Sequence, residues 1–291
     1  MHRSGFVNIV GKPNAGKSTF LNQLMGKKLA IVTKKAQTTR HRIFGIYNDD
    51  KYQIVFSDTP GVLDPKYGLQ EKMMNSVKDS LQDADILLFV VDVTDVGDSS
   101  SFLIEKLNKI PVPVFILLNK IDQTTQEHLE KMIEKWHQYV PKAEILPISA
   151  LKGFNIDIIL PKLKSLLPEN LPYYDKDQFT DKSERFFVNE AIREKILLNY
   201  DKEIPYAVEV NTELFKEKEE IIFIDSVVYV ERNSQKGILI GHKGEAIKKV
   251  GTEARRDLEL FFAKKIYLNL FVKVKKDWRK NDRDLKNFGY R

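Results

Sequence analysis

Lys17 and Ser18 close the octet Gly11-Lys12-Pro13-Asn14-Ala15-Gly16-Lys17-Ser18, and residues of these types at this spacing bind polyphosphate. In the pattern G-x-x-x-x-G-K-S the glycines let the backbone wrap an anion, so that successive N–H groups point at it. The lysine ammonium reaches the β and γ phosphates, and the serine hydroxyl takes one position on magnesium. Gly11 through Thr19 are therefore candidate nucleotide contacts, with Lys17 also catalytic.

Two further tetrapeptides choose the base. In Asn119-Lys120-Ile121-Asp122, the carboxylate of Asp122 can accept two hydrogen bonds from guanine, at N1–H and the 2-amino group. Adenine offers neither and would leave the acid unpaired under the base, a penalty of about 1–3 kcal/mol. Asn119 would brace the loop and meet N7, while the stem of Lys120 covers the ring. In Ser149-Ala150-Leu151-Lys152, the Ala150 N–H can reach guanine O6, with Leu151 beside it. Either tetrapeptide alone is an ordinary loop; in this order, with a phosphate loop before them, they select guanine. A fourth set is Asp58-Thr59-Pro60-Gly61, in which Asp58 holds magnesium through a water and the Gly61 N–H senses the γ-phosphate, a catalytic position.

The elements that must position these groups are legible around them. Phe6–Val10, Gln53–Ser57, Val114–Leu118 and Ile145–Ile148 are short apolar runs, each read as a buried strand with a motif at its carboxyl end. Ser18–Met25 reads as a helix. Open parallel sheets bind ligands at that end of their strands, so the fold class is α/β, a doubly wound, mostly parallel P-loop sheet. Between the first two strands, Lys34–Arg40 is polar and aperiodic, and reads as a mobile loop. A hydroxyl from it completes the magnesium shell only while the γ-phosphate is present, which makes the loop a switch. Thr39 is favoured for that hydroxyl, with Thr38 as the alternative.

The order of these motifs resembles that of the translation-factor-related small GTPases, and Lys12-Pro13-Asn14 together with Gln37-Thr38-Thr39-Arg40 resembles the Era family. That resemblance implies a GTPase domain followed by an RNA-binding KH domain of type II topology. It also implies slow intrinsic turnover of GTP to GDP, because Val62 stands where many small GTPases carry a water-orienting glutamine. In related GTPases an asparagine at the position of Asn14 helps hold potassium beside the phosphates; closing the loop by its own hydrogen bonds is the other reading of Asn14.

The second half has the element order that the resemblance requires. Glu184–Leu198 carries apolar residues at helical spacing; Tyr206–Thr212 and Glu220–Val230 read as strands. Ser234–Ile240, read as a helical turn or an extended piece, leads into Gly241-His242-Lys243-Gly244. A long helix follows with Ile247, Val250, Ala254, Leu258 and Phe261 on one face, then a strand over Ile266–Val274. A G-x-x-G loop at a helix N-terminus lets sugar and phosphate approach bare backbone. The RNA-contact candidates are Ile240, Gly241, His242, Lys243, Gly244 and Lys248. From Lys236 to Arg291 there are 16 Lys/Arg against 7 Asp/Glu, whereas Thr180–Gln235 has 8 against 13. The positive charge gathers at and beyond the glycine loop, as a phosphate-bearing partner requires.

A chain of 291 residues, 42% hydrophobic, is comfortable for two cores. The expected division is a GTPase domain over 1–168, a linker over 169–179, a KH domain over 180–276 and a basic tail over 277–291. The absence of cysteine excludes disulfides and thiolate metal sites, and the five histidines lack zinc-ligand spacing. Trp136 and the pair Phe261-Phe262 read as core, while the tail with Trp278 either adds an RNA contact or packs on the domain. No apolar run has the length of a membrane span, so a soluble cytoplasmic protein is expected.

The resemblance covers the whole chain. It implies GTP/GDP and Mg2+ as ligands, with K+ as a further candidate, and single-stranded RNA near the 3′ end of small-subunit rRNA as partner. It further implies a monomer that assists assembly of the small ribosomal subunit, with peripheral association at the inner membrane. The contrasting reading is a GTP-sensing adaptor that uses the KH fold only as scaffold.

Overall fold

The computed structural model describes residues 1–95 and 101–290 and separates into two compact units. The first holds Met1–Ala30, Thr39–Asp64 and Met73–Asp181; the second holds Ile31–Thr38, Pro65–Lys72 and Lys182–Arg291.

In chain order the first run of elements is β1 (Arg3–Gly11), α1 (Lys17–Met25), β2 (Ile43–Asn48), β3 (Tyr52–Asp58), α2 (Gly68–Gln82) and β4 (Ile86–Asp92). It continues with α3 (Ser101–Lys109), β5 (Val114–Asn119), α4 (Gln126–Tyr139), β6 (Glu144–Pro147) and α5 (Ile159–Leu166). The six strands form one sheet in the order β2-β3-β1-β4-β5-β6, parallel at every pairing except β2–β3. A parallel sheet covered on both faces needs strands apolar on both sides, and all six residues of β5 are buried. Register aligns the strand ends: Ile9 sits opposite Asp58, Gly11 opposite Val90, and Asp92 opposite Asn119. The motifs that follow β1, β3, β5 and β6 therefore emerge along one edge of the sheet. Trp136 is buried in the core beside Phe89, as expected, at 5.5 Å between ring centroids.

The proline-bearing segment after α5 runs along the first unit. Ser4 N–H donates to the Pro168 carbonyl at 3.2 Å, and Gln53 Oε1 accepts from the N–H groups of Tyr173 and Tyr174 at 2.6 and 3.0 Å.

The second unit contains α6 (Glu184–Asn199), α7 (Ile204–Ala207), β7 (Glu209–Glu217), β8 (Ile221–Val230), α8 (Asn233–Ile240), α9 (Glu245–Phe262), β9 (Lys265–Val274) and α10 (Asp282–Asn287). Its sheet has the order β7-β8-β9; β7–β8 is antiparallel and β8–β9 parallel, the latter joined by the α8–α9 crossover. Val188, Ile192 and Ile196 of α6 pack with Val250, Ala254 and Leu258 of α9 over Ile224 and Val228 of the sheet. This is the helix–strand order of the type II KH fold.

Several expectations for this half need correction. Strand β7 begins at Glu209, not Tyr206, because Pro205 fixes the start of the short helix α7. Of the two readings of Ser234–Ile240, the helical one holds. Phe261 is 42% exposed and leans on Phe187 instead of filling the core. At about 100° per residue, Phe262, four beyond Leu258, stays near the apolar stripe, whereas Phe261 turns away from it. Of the two readings of the tail, packing prevails: Trp278 is fully buried, its indole N–H donates to the Ala207 carbonyl at 3.1 Å, and Tyr290 donates to Glu209 at 2.7 Å. Arg291, the last tail cation, lies outside the described residues. Among the described residues no helix is long and apolar enough to cross a membrane.

Candidate functional site

The phosphate loop turns from β1 into α1 through Gly16, at φ +97°. A Cβ there would come within 2.2 Å of Asn119 Nδ2, so glycine is required by both conformation and space. Helix α1 has no side-chain cap at its start, which leaves its first N–H groups available to an anion. The Lys17 ammonium is buried and donates to the carbonyls of Gly11 and Lys12 at 3.2 and 2.9 Å. Burial pushes its pKa down to about 8, against the raising pull of Asp58. A polyphosphate would add counter-charge beside this dry ammonium. Asn14 takes a left-handed φ of +61° on the exposed rim of the loop.

Three oxygen-bearing side chains meet beside the loop. Ser18 Oγ donates to Asp58 Oδ2 at 2.6 Å and lies 2.8 Å from Thr39 Oγ1, which is itself 3.4 Å from Asp58 Oδ2. The hydroxyl of Thr38 points elsewhere, 2.7 Å from Thr33 Oγ1 and donating to the Lys35 carbonyl at 2.6 Å. Asp58 Oδ1 is buried with no hydrogen-bond partner. Burial raises the pKa of this carboxyl, while the Lys17 charge and hydrogen bonds from Ser18 and Thr39 pull it back. A buried acceptor without a donor beside two hydroxyls fits a hydrated magnesium ion, whose bound water would satisfy it. The Thr59 hydroxyl anchors the next segment by donating to the Ile9 carbonyl at 2.8 Å, and Val62 N–H donates to the Gly11 carbonyl at 3.1 Å. Pro60 and Gly61 are thereby held between two bonds to β1.

Asn119 ties the base loops to the phosphate loop. Its Nδ2 donates to the Ala15 carbonyl at 2.8 Å, and its Oδ1 accepts from Ala150 N–H at 2.9 Å. That second bond was not anticipated: the Ala150 N–H expected to face guanine O6 is already engaged, because the Asn119 amide fills the space between the two loops. Asp122 is exposed, with one oxygen accepting from Ser149 Oγ at 2.5 Å, so its desolvation begins only when a base covers it. Lys120, at φ +69°, pairs its ammonium with Asp92 at the end of β4. Asp92 was not singled out from sequence; the available signal was an acid ending an apolar run. Leu151 is 68% exposed at the rim.

In the second unit, Gly241 joins α8 to the loop at φ +72°, and a Cβ on it would meet Ala246 Cβ at 2.6 Å. His242, Lys243 and Lys248 are exposed, and Ile240 and Gly244 half-buried. Tyr200 is buried, and its hydroxyl donates to the Leu239 carbonyl at 2.6 Å, fixing the end of α8 two residues before the loop. Burial pushes this phenol up to about 12. The loop opens α9, whose start carries no side-chain cap, so its first N–H groups are available to an anion.

Comparison with known proteins agrees with this geometry. Residues 6–120 match the family described as 50S ribosome-binding GTPase, and residues 203–279 match the KH domain family. The chain is 37% identical to Era as solved in complex with MgGDPNP and nucleotides 1506–1542 of 16S ribosomal RNA. The match has a TM-score of 0.94 and covers 100% of this chain and 99% of that one. A variant of Aquifex aeolicus Era bound to GDP.AlF4- is equally similar, at 37% identity and a TM-score of 0.94, with 99% of each chain covered. With that identity along its whole length, and with the phosphate loop and the glycine-hinged KH loop each on the elements described above, the chain belongs to the Era family of GTPases.

Proposed function

We propose that this RNA-binding GTPase works as a switch in assembly of the small ribosomal subunit, binding single-stranded RNA near the 3′ end of its rRNA through the KH loop. The single observation that carries the GTP side is the convergence of Ser18, Thr39 and the unpartnered Asp58 Oδ1 beside a buried Lys17. On the RNA side, similarity to Era solved with 16S nucleotides supports the choice of ligand. We assign GTP hydrolysis to residues 1–168 and RNA contact to 180–276, joined by 169–179 and followed by the tail 277–291.

In this reading water attacks the γ-phosphate in line. Lys17 and the Gly61 N–H stabilise the charge that develops on the phosphoryl oxygens. Ser18, Thr39 and, through a water, Asp58 would hold Mg2+, which would supply positive charge to offset that of the phosphates. Asn14 stands where K+ would add a fixed cation; equal hydrolysis rates in potassium and sodium would remove that role. Val62 can neither donate to nor accept from the attacking water, which another group or a partner must position, so turnover by the chain alone is slow.

The test is direct. The purified full-length chain should retain GDP and GTP in magnesium and bind a single-stranded RNA bearing the rRNA 3′ sequence, with affinity falling as salt rises. Lys243→Ala should lower the slope of log K against log salt by about 1. Failure to retain guanine nucleotides sinks the switch; nucleotide retention without RNA affinity leaves a GTP-sensing adaptor.

A further inference from the structure

Arg193 is a buried arginine, 1% exposed, that neither the nucleotide nor the RNA chemistry uses. It sits on α6, one turn after Glu190, and both carboxylate oxygens of Glu190 accept from it, at 2.7 Å each, through Nε and Nη2. Burial alone would lower its pKa; the charge and hydrogen bonds of Glu190, together with the nearby Tyr290 and Glu209, outweigh this and raise it. With one edge of the guanidinium fixed in that fork, the opposite edge faces two backbone carbonyls. Nη1 donates to the Gln37 carbonyl at 3.3 Å, and Nη2 donates to the Thr38 carbonyl.

Those carbonyls belong to the segment Ile31–Thr38, which clusters with the second unit. The same segment is fastened at other points. Val32 N–H donates to Glu194 Oε1 at 3.3 Å, and the Lys35 ammonium donates to the Tyr200 carbonyl and to Asp201 at 2.9 Å. Gln37, at φ +57°, accepts from the Tyr67 hydroxyl at 3.2 Å, and the Arg279 guanidinium lies 5.0 Å from the centre of the Tyr67 ring. Thr38 is bonded directly to Thr39, whose hydroxyl is one of the three oxygens at the magnesium position.

We propose that Arg193 is a positioning residue that sets the preference for triphosphate over diphosphate, by holding the Gln37 and Thr38 carbonyls where the closed first switch presents Thr39. This rests on the reading above that Thr39 takes a magnesium position. A loop that opens takes its two carbonyls away and leaves the outer edge of a buried guanidinium without acceptors, which disfavours opening. A ligand that uses Thr39 binds only the closed loop, so its apparent affinity scales with the closed fraction. GDP, lacking the γ-phosphate, does not draw on Thr39 and is indifferent to that fraction. A conservative lysine at 193 keeps a charge for Glu190 but cannot span the carboxylate and both carbonyls together.

The experiment measures affinities of the full-length chain for GDP and for GDPNP in magnesium. Four proteins are compared: wild type, Arg193→Lys, Lys35→Ala and Thr39→Ala. Arg193→Lys should weaken GDPNP roughly tenfold and leave GDP within about twofold. Lys35→Ala, a substitution outside the nucleotide site, should shift the ratio the same way by about threefold. A purely structural role would move both nucleotides together or lower the melting temperature without touching the ratio. An unchanged ratio in folded Arg193→Lys overturns the proposal; if that variant does not fold, an unchanged ratio in Lys35→Ala does. A ratio unaffected by Thr39→Ala sinks the magnesium reading as well, whereas a ratio that collapses there but not at 193 sinks this inference alone.

Discussion

The side-chain amide of Asn119 donates to the Ala15 carbonyl at 2.8 Å, so the loop assigned to the base and the loop assigned to the phosphates share one internal hydrogen bond. Its other end accepts from Ala150 N–H at 2.9 Å, which brings the third nucleotide loop into the same brace. Three strand ends, those of β1, β5 and β6, are in this way set by a single side chain that is 2% exposed.

Asn119→Ala should therefore weaken GDP and GTP alike. It strands a buried carbonyl and a buried N–H at a cost of about 1–3 kcal/mol each in the worst case. The expected result is a fall of tenfold or more in affinity for both nucleotides together with a lower melting temperature. Loss of one nucleotide only would contradict a shared brace.

Asp122→Asn exchanges an acceptor for a group with donors at the place assigned to the guanine N1–H and 2-amino group. The preference of the variant should move toward xanthine nucleotides, by competition of XTP against GTP, by a factor on the order of ten to a hundred. An unaltered order of base preference would overturn the assignment of this loop to guanine.

The two switch threonines should separate cleanly. Thr39→Ala removes an oxygen 2.8 Å from Ser18 and should reduce magnesium-dependent hydrolysis by about tenfold or more. Thr38→Ala removes only a loop bond to Thr33 and Lys35, and should leave hydrolysis within about threefold. Single-turnover rates at varied magnesium read both; equal losses would mean that the hydroxyls share the metal.

Tyr200 offers a pH signature. Its phenol titrates near pH 10 in the unfolded chain and at about 12 when folded, because burial disfavours phenolate. The folded state thus keeps the proton longer, so the stability is complete below pH 10 and is lost as pH rises from about 10 to 12. Chemical denaturation of wild type and Tyr200→Phe across that range should show the wild type losing the extra stability and the variant not. Tyr200→Phe should also cost about 1–2 kcal/mol at neutral pH through the unpaired Leu239 carbonyl. Parallel alkaline curves for the two proteins would refute the assignment.

The candidates for the nucleotide site were legible in the sequence because their chemistry is local, and the structure brings Ser18, Thr39 and Asp58 together. An octet supplies the phosphate loop, a tetrapeptide supplies the guanine acid, and each follows an apolar run whose strand end faces ligand by the rules of parallel sheets. The KH half was readable for a related reason: Val250, Ala254 and Leu258 repeat at helical spacing behind a G-x-x-G loop, and all three are buried. Phe261 misled because adjacent aromatics on a helix cannot both face one core, and the sequence does not say which of the two turns inward.

The types of group and their order along the chain were thus determined by the amino-acid sequence alone, since backbone amides, carboxylates and hydroxyls carry their chemistry wherever they stand. Which threonine meets Ser18, which acceptor engages the Ala150 N–H, whether Trp278 is buried, and that Arg193 grips Gln37 and Thr38 were decided only by tertiary structure. Each of these joins residues distant in the chain, up to 156 positions apart for Arg193 and Gln37, and local periodicity carries no information about such pairings.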